Sequence, residues 1–540
     1  MSYTSLNFLL FVSITVLAYF LFPLKKQKWT VLLAASYVFY LFAGYKYVAF
    51  IVFTTLSTFL IGLWLEKVTA KSKNNIKLHK AEWSREDKKK YKEKIKKQKR
   101  IILALALVLN FGILALLKYY NFFAGSLNDV FGSWGMEFSA PTLKLFLPLG
   151  ISFYTFQSMG YIVDVYREKT PAQHNPFKFA LFVAFFPQII QGPIGIYDDL
   201  AHQLFEPHDF DFTRFKHALE LILWGLVKKM VFADTAVIAI NNVTSDYNSY
   251  GGTALTFTII LYAFQLYADF SGGIDISRGV AQIFGIDMME NFKRPYFSKD
   301  INEYWRRWHI SLGNWFKNYL FYPLAMSSLF INTSKKIKST KFGSTVAGAH
   351  IAKVLPTSIA SFVVFFIVGV WHGASWKYVG FGVWNGGIIM ISVLMKPVFE
   401  WCHKKLHINP KSAPYTVFQI LRTFIVILVG YVFDVAPSFT QAMRTFWLFF
   451  TDQSISTGLS EISTLGLVGN QYVLLSLGAV FIFIISVIQE HHDKTTIRDM
   501  LDQKPFILRW FAMFVGIMLV VSLGVYGSGF DAADFVYMQF

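Results

Sequence analysis

The chain has 540 residues, of which 54% are hydrophobic, 18% aromatic and only 16% charged, with a net charge of +18. Soluble proteins are usually about a quarter charged, and here apolar runs of roughly 18 or more residues recur along the chain, each long enough to cross a bilayer. The composition excludes an ordinary soluble protein and predicts an all-α polytopic membrane protein that lies in a lipid bilayer. The single cysteine, Cys402, excludes an internal disulfide framework and a Cys-rich metal site.

The apolar runs, taken in chain order, predict the membrane helices. The first run, near residues 4–24, lacks the basic start and small-residue cleavage site of a signal peptide, so we interpret it as a helix. Further runs follow near residues 29–45, 47–65, 101–118, 145–164, 174–192, 214–242, 253–285, 354–371, 376–395, 414–434, 440–451, 470–489 and 506–527. We expect residues 1–540 to form one integral membrane domain, with the polar residues 325–353 as a surface loop.

Much of the positive charge lies between the third and fourth runs. Residues 66–100, predicted as a loop, contain 15 Lys or Arg and 5 Asp or Glu, so they carry +10 of the net charge. Basic loops stay cytoplasmic by the positive-inside rule and attract anionic headgroups. We therefore interpret this segment as a cytoplasmic topology anchor and expect no nucleic-acid partner. The same orientation places the N-terminus outside and the lysines at 25, 26 and 28 inside.

Prolines interrupt the apolar pattern in the middle of the chain. They are Pro148, Pro187, Pro193, Pro295 and Pro323. At membrane depth a broken helix is tolerated only where protein or a water-filled cavity satisfies the backbone. We therefore expect broken or re-entrant helices around a cavity, including an interrupted segment at 300–324.

The interrupted segment carries an aromatic stripe and two adjacent arginines. The stripe, at helical spacing, consists of Trp305, Trp308, Leu312, Trp315 and Tyr319. One interpretation is an interfacial helix whose arginines hold lipid phosphates. The other is that Arg306, Arg307 and His309 line an entrance for an anionic substrate.

Two carboxylates lie close to a long apolar run, on either side of a Gly-Gly pair. An intramembrane carboxylate usually pairs with a cation or faces a cavity. For Asp275 a structural pair with Arg278 or another basic residue is the expected role. Asp269 is a candidate either for such a pair or for the wall of a reaction chamber.

A histidine stands at the junction of two apolar runs, in Trp371-His372-Gly373-Ala374-Ser375-Trp376. A titratable side chain at membrane depth is a functional hypothesis by default. A general base needs a near-neutral pKa, which an unperturbed imidazole already has, so His372 is a candidate for that role. A hydrogen-bonded core histidine is an equal alternative. A metal site is not expected, because no His, Asp or Glu follows at ligand spacing.

Several longer motifs occur in a fixed order along most of the chain. They are Pro148-Leu-Gly-Ile-Ser-Phe-Tyr-Thr-Phe-Gln157, Asp164-Val-Tyr-Arg167, Phe186-Pro-Gln188, Gly192-Pro-Ile194, Tyr267-Ala-Asp-Phe-Ser-Gly272, Asn291-Phe292, Pro295-Tyr296, Trp305-Arg-Arg-Trp-His-Ile-Ser-Leu312, Trp371-His-Gly373 and the ending Phe535-Val-Tyr-Met-Gln-Phe540. In these motifs the chain resembles the membrane-bound O-acyltransferase family, and within it the bacterial branch that O-acetylates alginate and other exported polysaccharides.

The resemblance implies a ring of transmembrane and re-entrant helices around a central tunnel, in a multi-pass protein of the bacterial plasma membrane. His372 matches the family's active-site histidine, and His309 its second histidine toward the cytoplasmic side. A thioester donor, acetyl-CoA or an acyl carrier, would enter from the cytoplasm, and no cofactor would be bound permanently. The acyl group would pass to a serine-containing, esterase-like partner outside the membrane or directly to a polysaccharide hydroxyl.

The resemblance also makes further residues candidates for the tunnel. Trp371, Trp376 and Asp269 are candidate walls, and Trp305 with Arg306 and Arg307 would lie along the donor path. His372 would act as a general base, with a covalent acyl-histidine as the rival mechanism. The positions of these residues in the structure can be compared with the roles that the resemblance implies.

The chain departs from the branch at two places. Asn385 stands where the branch often has a histidine, so no second acid–base role is expected there. The motif Phe433-Asp434-Val435-Ala436 lacks the branch's usual basic residue. Two alternative functions are D-alanyl transfer to teichoic acids, supplied by a carrier protein, and transport of polysaccharide precursors with His372 as a proton relay.

Overall fold

The computed structural model describes residues 2–136, 139–492 and 495–526. Within these ranges the regular structure is helical, and the sole β pairing is an isolated bridge between Phe292 and Trp308. The ending at 535–540, which contributed to the family resemblance, lies outside the described residues. The prediction of an all-α protein is confirmed.

Eight helices of the described chain are long and apolar enough to cross a membrane. They are Tyr45–Leu78, Arg85–Ser133, Gly252–Ile283, Val346–His372, Trp376–Leu394, Ala413–Val435, Gly469–His491 and Phe506–Leu523. A helix satisfies all of its backbone groups internally, as lipid requires. The prediction of a multi-pass membrane protein is therefore confirmed. The predicted run at 4–24 is a helix of 16 residues, Leu6–Leu21, which is shorter than these eight.

The chain divides into two compact units. The first consists of residues 1–219 and 277–289, and the second of residues 220–276 and 290–540. The helices Phe212–Leu226 and Gly252–Ile283 contribute residues to both. The other helices of the first unit are Leu6–Leu21, Lys28–Leu41, Val48–Leu78, Arg85–Ser133, Ile151–Tyr166, Pro176–Ala184, Phe186–Ile189 and Tyr197–Phe205.

The basic segment predicted as a loop is helical, which corrects the prediction for 66–100. Val48–Leu78 and Arg85–Ser133 extend through most of it and leave a short turn. Ser84 caps the second helix, because its hydroxyl accepts a hydrogen bond from the backbone N–H of Asp87 and the Asp87 carboxylate bonds back to Ser84. We call residues 66–100 the basic hairpin. Runs of lysine do not prevent helix formation, since lysine has a good helix propensity.

Glu168 binds the basic hairpin to the rest of the first unit, and Glu66 of the hairpin adds contacts to Ala172 and His174. Glu168 lies 2.8 Å from Lys73 and 2.9 Å from Lys99. Hydrogen bonds from these two ammonium groups hold the pKa of Glu168 below its ordinary value. The sequence predicted the charge of this region but not the acidic residue that binds it.

The second unit contains the remaining helices and two π-helical segments, Val227–Ala233 and Lys317–Phe321. Its other helices are Asp234–Ser245, Ile301–Arg307, Ile310–Phe316, Tyr322–Ala325, Ser328–Lys338, Val346–His372, Trp376–Leu394, Lys396–Lys405, Ala413–Val435, Phe439–Thr451, Ile455–Ser463, Gly469–His491, Ile497–Asp502 and Phe506–Leu523. The predicted surface loop at 325–353 was wrong in its secondary structure, because Ser328–Lys338 and the start of Val346–His372 occupy most of it.

Two apolar helices of the second unit pack against each other at a glycine contact. Val346–His372, which we call the histidine helix, is joined to Trp376–Leu394 by three residues. A side chain on Gly369 would overlap the backbone of Gly382. Small residues at such crossings let membrane helices approach closely. This contact fixes the end of the histidine helix, where His372 lies.

Candidate active site

His372 is the last residue of the histidine helix. Its ring centroid lies 5.2 Å from that of Trp371, 5.2 Å from that of Phe381 and 6.4 Å from that of Tyr378. A side chain on Gly373 would overlap the Tyr378 ring. Glycine at this position therefore leaves room for the Tyr378 ring beside the imidazole.

His372 lines a small cavity within the second unit, which we call the His372 cavity. Its free volume is about 20 Å³, enough for one water-sized group. The other lining residues are Tyr262, Leu266, Phe270, Tyr304, Trp305, Trp308, Phe381, Asn385, Ile427, Gly430, Tyr431 and Asp434. The imidazole thus faces a space lined mostly by aromatic side chains, where a reacting group would meet little water.

His309 lies at a break between two short helices. Ile301–Arg307 ends before it and Ile310–Phe316 starts after it, and His309 itself has a φ of 46°. This left-handed conformation is uncommon for residues other than glycine and often marks a functional site. The predicted interruption of the 300–324 segment is confirmed, but the break also means that the aromatic stripe does not follow one continuous helix.

Asn291 determines the position of the break at His309. Its backbone oxygen accepts a hydrogen bond from the N–H of Ile310 at 3.0 Å, and its side-chain oxygen accepts one from the N–H of Ser311 at 2.8 Å. These bonds satisfy N–H groups at the start of the second helix, as a helix start requires. The motif Asn291-Phe292 is therefore the structural support of the histidine segment.

His309 lines a second and larger cavity, the His309 cavity, with a volume of about 480 Å³. Two cationic side chains, Arg306 and Lys317, and two amides, Asn302 and Asn314, also line it. The remaining lining comes mainly from apolar residues of 305–321 and 361–368. This combination suits a ligand with an anionic part and an apolar part.

Trp305 lines both cavities and separates them. Its indole N–H donates a hydrogen bond to the side-chain oxygen of Asn385 at 3.3 Å, and the Asn385 amide donates to the backbone oxygen of Phe381 at 2.9 Å. Asn385 therefore holds the indole in place. This is a positioning role, which agrees with the expectation that no second acid–base group stands there.

Trp371 lies between the two histidines. It is 7% exposed, and its ring centroid lies 6.2 Å from that of His309 and 5.2 Å from that of His372. Both imidazoles therefore lie beside the same indole ring. Two side chains that the sequence separates by 63 residues are therefore brought together in one site.

Asp269 does not lie along either cavity in the described chain, in contrast to the tunnel wall considered from the sequence. Its carboxylate lies 2.6 Å from the Lys229 ammonium group, which also lies 2.8 Å from Asp234. Lys229 and Asp269 are both almost completely buried. The π-helical segment Val227–Ala233 carries this lysine, so the structural alternative, a buried ion pair, fits Asp269. Lys228 forms the corresponding pair with Asp275 at 2.6 Å.

Two other candidates are also placed away from the cavities. Arg307 binds both carboxylate oxygens of Glu490 at 2.9 Å and Glu303 at 2.7 Å, so its charge is used in ion pairs. Trp376 is 57% exposed and is not among the residues that line the two cavities of the described chain. It is the first residue of the helix Trp376–Leu394.

Sequence reasoning named the motif that contains Asp434 but gave this residue no role, and it did not find Tyr431 on the same helix, Ala413–Val435. Asp434 and Tyr431 line the His372 cavity, and the Tyr431 hydroxyl lies 2.8 Å from that of Tyr304. The Lys377 ammonium group lies 3.0 Å from the backbone oxygens of both Asp434 and Ala436. A carboxylate at the end of a long apolar run was the signal that could have pointed to Asp434.

These features define a class of protein: a helical membrane protein with a histidine at a small, mostly aromatic cavity beside a second cavity with cationic side chains. Such an arrangement suits proton transfer to or from a bound hydroxyl. Residues 32–340 match the membrane-bound O-acyltransferase family. Because this match covers more than half of the chain, the chain belongs to that family and is an O-acyltransferase.

Individual relatives extend the comparison beyond residue 340. The probable alginate O-acetylase AlgI of Pseudomonas aeruginosa is 33% identical over 69% of this chain, which spans 65% of that relative. The peptidoglycan O-acetyltransferase of Helicobacter pylori is 30% identical over 82% of this chain and 78% of its own length. The teichoic acid D-alanyltransferase of Bacillus subtilis is 29% identical over 55% of this chain and 71% of its own length.

Proposed function

We propose that this enzyme transfers acetyl groups from a cytoplasmic thioester, acetyl-CoA or an acyl carrier, for O-acetylation of an exported or cell-surface polysaccharide. The similarity to the alginate and peptidoglycan enzymes supports both the acetyl group and the kind of acceptor. The single observation that carries the proposal is that His372 and His309 lie at two cavities with Trp305 as their common wall.

The donor would bind in the His309 cavity. Arg306 and Lys317 supply positive charge for the phosphates of CoA or of a carrier's prosthetic arm, and the apolar lining suits the uncharged part of that arm. Only the acyl group needs to pass Trp305, so the charged carrier stays on one side. The larger His309 cavity would hold the carrier's arm, and the smaller His372 cavity would receive the acyl group, which agrees with their different volumes.

His372 would act as the general base of the transfer. It takes the proton of the acceptor hydroxyl as that oxygen bonds to the acyl carbon, the carbon–sulfur bond breaks, and the proton then passes from the imidazole to the departing thiolate. The aromatic lining excludes water that would hydrolyse the thioester. A covalent acyl-histidine is the rival mechanism, and a trapped acyl group on His372 would identify it.

The acceptor hydroxyl belongs either to a serine of an extracytoplasmic, esterase-like partner or to the polysaccharide itself. The basic hairpin would lie in the cytoplasm of a bacterial cell, with the N-terminus outside, because its 15 Lys or Arg residues outnumber 5 Asp or Glu. This orientation gives the thioester access from the cytoplasm and the acceptor access from outside.

The first test is His372→Ala, assayed as transfer of labelled acetyl from acetyl-CoA in membranes that contain the full chain. We expect the transfer to fall by at least about 10²-fold, since general base catalysis contributes on that order. The matched control, His491→Ala, changes an exposed histidine of the same unit and should keep its activity. Unchanged transfer in a folded His372→Ala protein would remove the catalytic assignment and leave the transporter alternative.

D-alanyl transfer is the second candidate function, because the Bacillus subtilis relative carries that name. The two functions differ in the acyl group on the thioester. Supplying membranes with labelled acetyl-CoA in one experiment and a D-alanyl carrier thioester in another separates them. Label incorporated only from the alanyl donor would replace the acetyl proposal.

A further inference from the structure

Asp434 brings a carboxylate to the His372 cavity that the proposed chemistry has not yet used. It lies near the end of the helix Ala413–Val435 and lines the cavity together with His372. Its Oδ1 atom is buried and has no hydrogen-bond partner among the described residues. Buried polar atoms without a partner are rare, and each asks for a functional or structural explanation.

The position of Asp434 is fixed by its backbone. The Lys377 ammonium group donates hydrogen bonds of 3.0 Å to the backbone oxygens of Asp434 and Ala436. The lysine therefore holds the chain at this point and brings a positive charge near the carboxylate, while the carboxylate oxygen Oδ1 is left facing the cavity. An intramembrane carboxylate usually pairs with a cation or faces a cavity, and Asp434 lines the His372 cavity.

Among the described residues that line the cavity, Asp434 supplies the sole carboxylate. The titratable groups around it come from five places in the fold. They are Tyr262 of Gly252–Ile283, Tyr304 of Ile301–Arg307, His309, Lys377 and Tyr378 of Trp376–Leu394, and Tyr431 and Asp434 of Ala413–Val435. Among these residues of the described chain, Asp434 alone has a carboxyl group, which ionises more readily than the phenol of a tyrosine.

We propose that Asp434 is a positioning residue that stabilises the positive charge His372 acquires when it takes the proton of the acceptor hydroxyl. The inference rests on the proposed function of His372. An imidazolium in an aromatic cavity has little water to solvate it, so an opposite charge across the same space acts strongly. The proton leaves again with the thiolate, and the carboxylate itself gains and loses nothing.

The test is Asp434→Asn, which removes the charge and keeps the shape. The full chain is solubilised so that both sides have one pH, and the rate of thiol release from acetyl-CoA is measured against pH, with the acceptor-containing membrane extract in excess. We expect kcat to fall about tenfold and the acidic limb of the pH profile to move down by about one unit, with an unchanged KM for acetyl-CoA.

Two further variants make the result specific. Asp434→Glu keeps the charge and should retain the acidic limb near its original pH. Glu400→Gln removes an exposed carboxylate from the same unit and should change neither quantity. A lower rate with an unmoved acidic limb in Asp434→Asn would overturn the inference, because a purely structural residue has that effect.

The inference and the proposed function fail in different ways. If His372→Ala is inactive while Asp434→Asn keeps the wild-type profile, the function stands and the role of Asp434 is wrong. If His372→Ala remains active, the proposed function fails first. If Asp434→Asn yields little folded protein, the pH profile of the folded fraction still tests the inference. The pH at which the acidic limb falls does not depend on the enzyme concentration.

Discussion

At the scale of single residues, the site depends on side chains that hold other side chains. Asn385 accepts a hydrogen bond from the indole N–H of Trp305. Asn291 binds the start of the helix that follows His309 and so determines where the break at His309 lies. Neither group has chemistry of its own at neutral pH. Their hydrogen bonds are nevertheless what gives each cavity its shape, because the rotamers of its walls are held by them.

Trp305→Phe tests the wall between the cavities. The smaller ring leaves the Asn385 oxygen without its partner and opens a connection for water. We expect the ratio of acetyl-CoA hydrolysed to acetyl transferred to rise roughly tenfold, since water exclusion protects the thioester. The measurement is a comparison of free acetate with polymer-bound acetate.

The control for Trp305→Phe is Trp384→Phe. Trp384 likewise donates its indole N–H, in this case to the backbone oxygen of Val426, and it does not line the His372 cavity. An equal rise of hydrolysis in both variants would mean that lost packing, and not the opened wall, caused it.

At the scale of elements, the segment Ile301–Phe316 assigns different tasks to adjacent arginines. Arg306 lines the His309 cavity, whereas Arg307 binds Glu490 and Glu303. The helix rotates successive residues by about 100°, so neighbours in sequence face different surroundings. The sequence predicted a common role for the two, whereas in the structure Arg306 lines the His309 cavity and Arg307 forms ion pairs.

Arg306→Ala and Arg307→Ala should therefore differ in kind. Loss of a charge-assisted contact predicts that Arg306→Ala raises the KM for acetyl-CoA by about tenfold or more, with the unfolding temperature unchanged. Arg307→Ala removes the ion pairs to Glu303 and Glu490, although Arg294 still pairs with Glu490, and should lower the free energy of unfolding by roughly 2 kcal/mol. Donor kinetics and thermal unfolding in detergent measure the two effects.

Equal donor affinity in Arg306→Ala and wild type would reduce this segment to an interfacial anchor. A thermal shift in Arg306→Ala as large as that in Arg307→Ala would also contradict the division of roles. Both outcomes are read from the same two measurements, so each variant is the control for the other.

The sequence was informative about elements wherever composition alone decides them. Long apolar runs identified the membrane helices, and the Trp-His-Gly junction identified the end at His372. It was not informative where partners come from distant segments: Lys229 binds Asp269, and Asn291 supports the break at His309. Such pairs depend on tertiary packing, which periodicity does not encode.

The helical state of two polar segments was missed for a related reason. Residues 66–100 and 325–353 lack the apolar face of a buried helix, so their pattern indicated loops. Lysine-rich sequence is still compatible with helix, and a cap such as Ser84 is enough to start one. Both helices, Arg85–Ser133 and Ser328–Lys338, carry their charge on helical surfaces.

At the scale of the whole molecule, the distribution of charge decides the orientation in the membrane. The proposed orientation puts the basic hairpin in the cytoplasm and the N-terminus outside. The ring of helices and the continuous tunnel stay predictions from the family resemblance. A topology experiment is simple here, because Cys402 is the sole cysteine of the sequence.

In a Cys402→Ser background, a cysteine is placed at Lys80 in one variant and at Ser2 in another. A membrane-impermeant maleimide should label the Ser2→Cys protein in intact cells and the Lys80→Cys protein only in inside-out vesicles, since basic segments remain cytoplasmic. The reverse pattern would invert the orientation and place the basic hairpin outside.

One indole forms part of the boundary of two separate spaces. A compound bound in the His309 cavity would therefore contact the same indole that forms a wall of the His372 cavity. It could arrest the reaction without touching the reactive imidazole, and it would do so from the side where the carrier arrives. An inhibitor of this enzyme accordingly has no need to imitate the sugar.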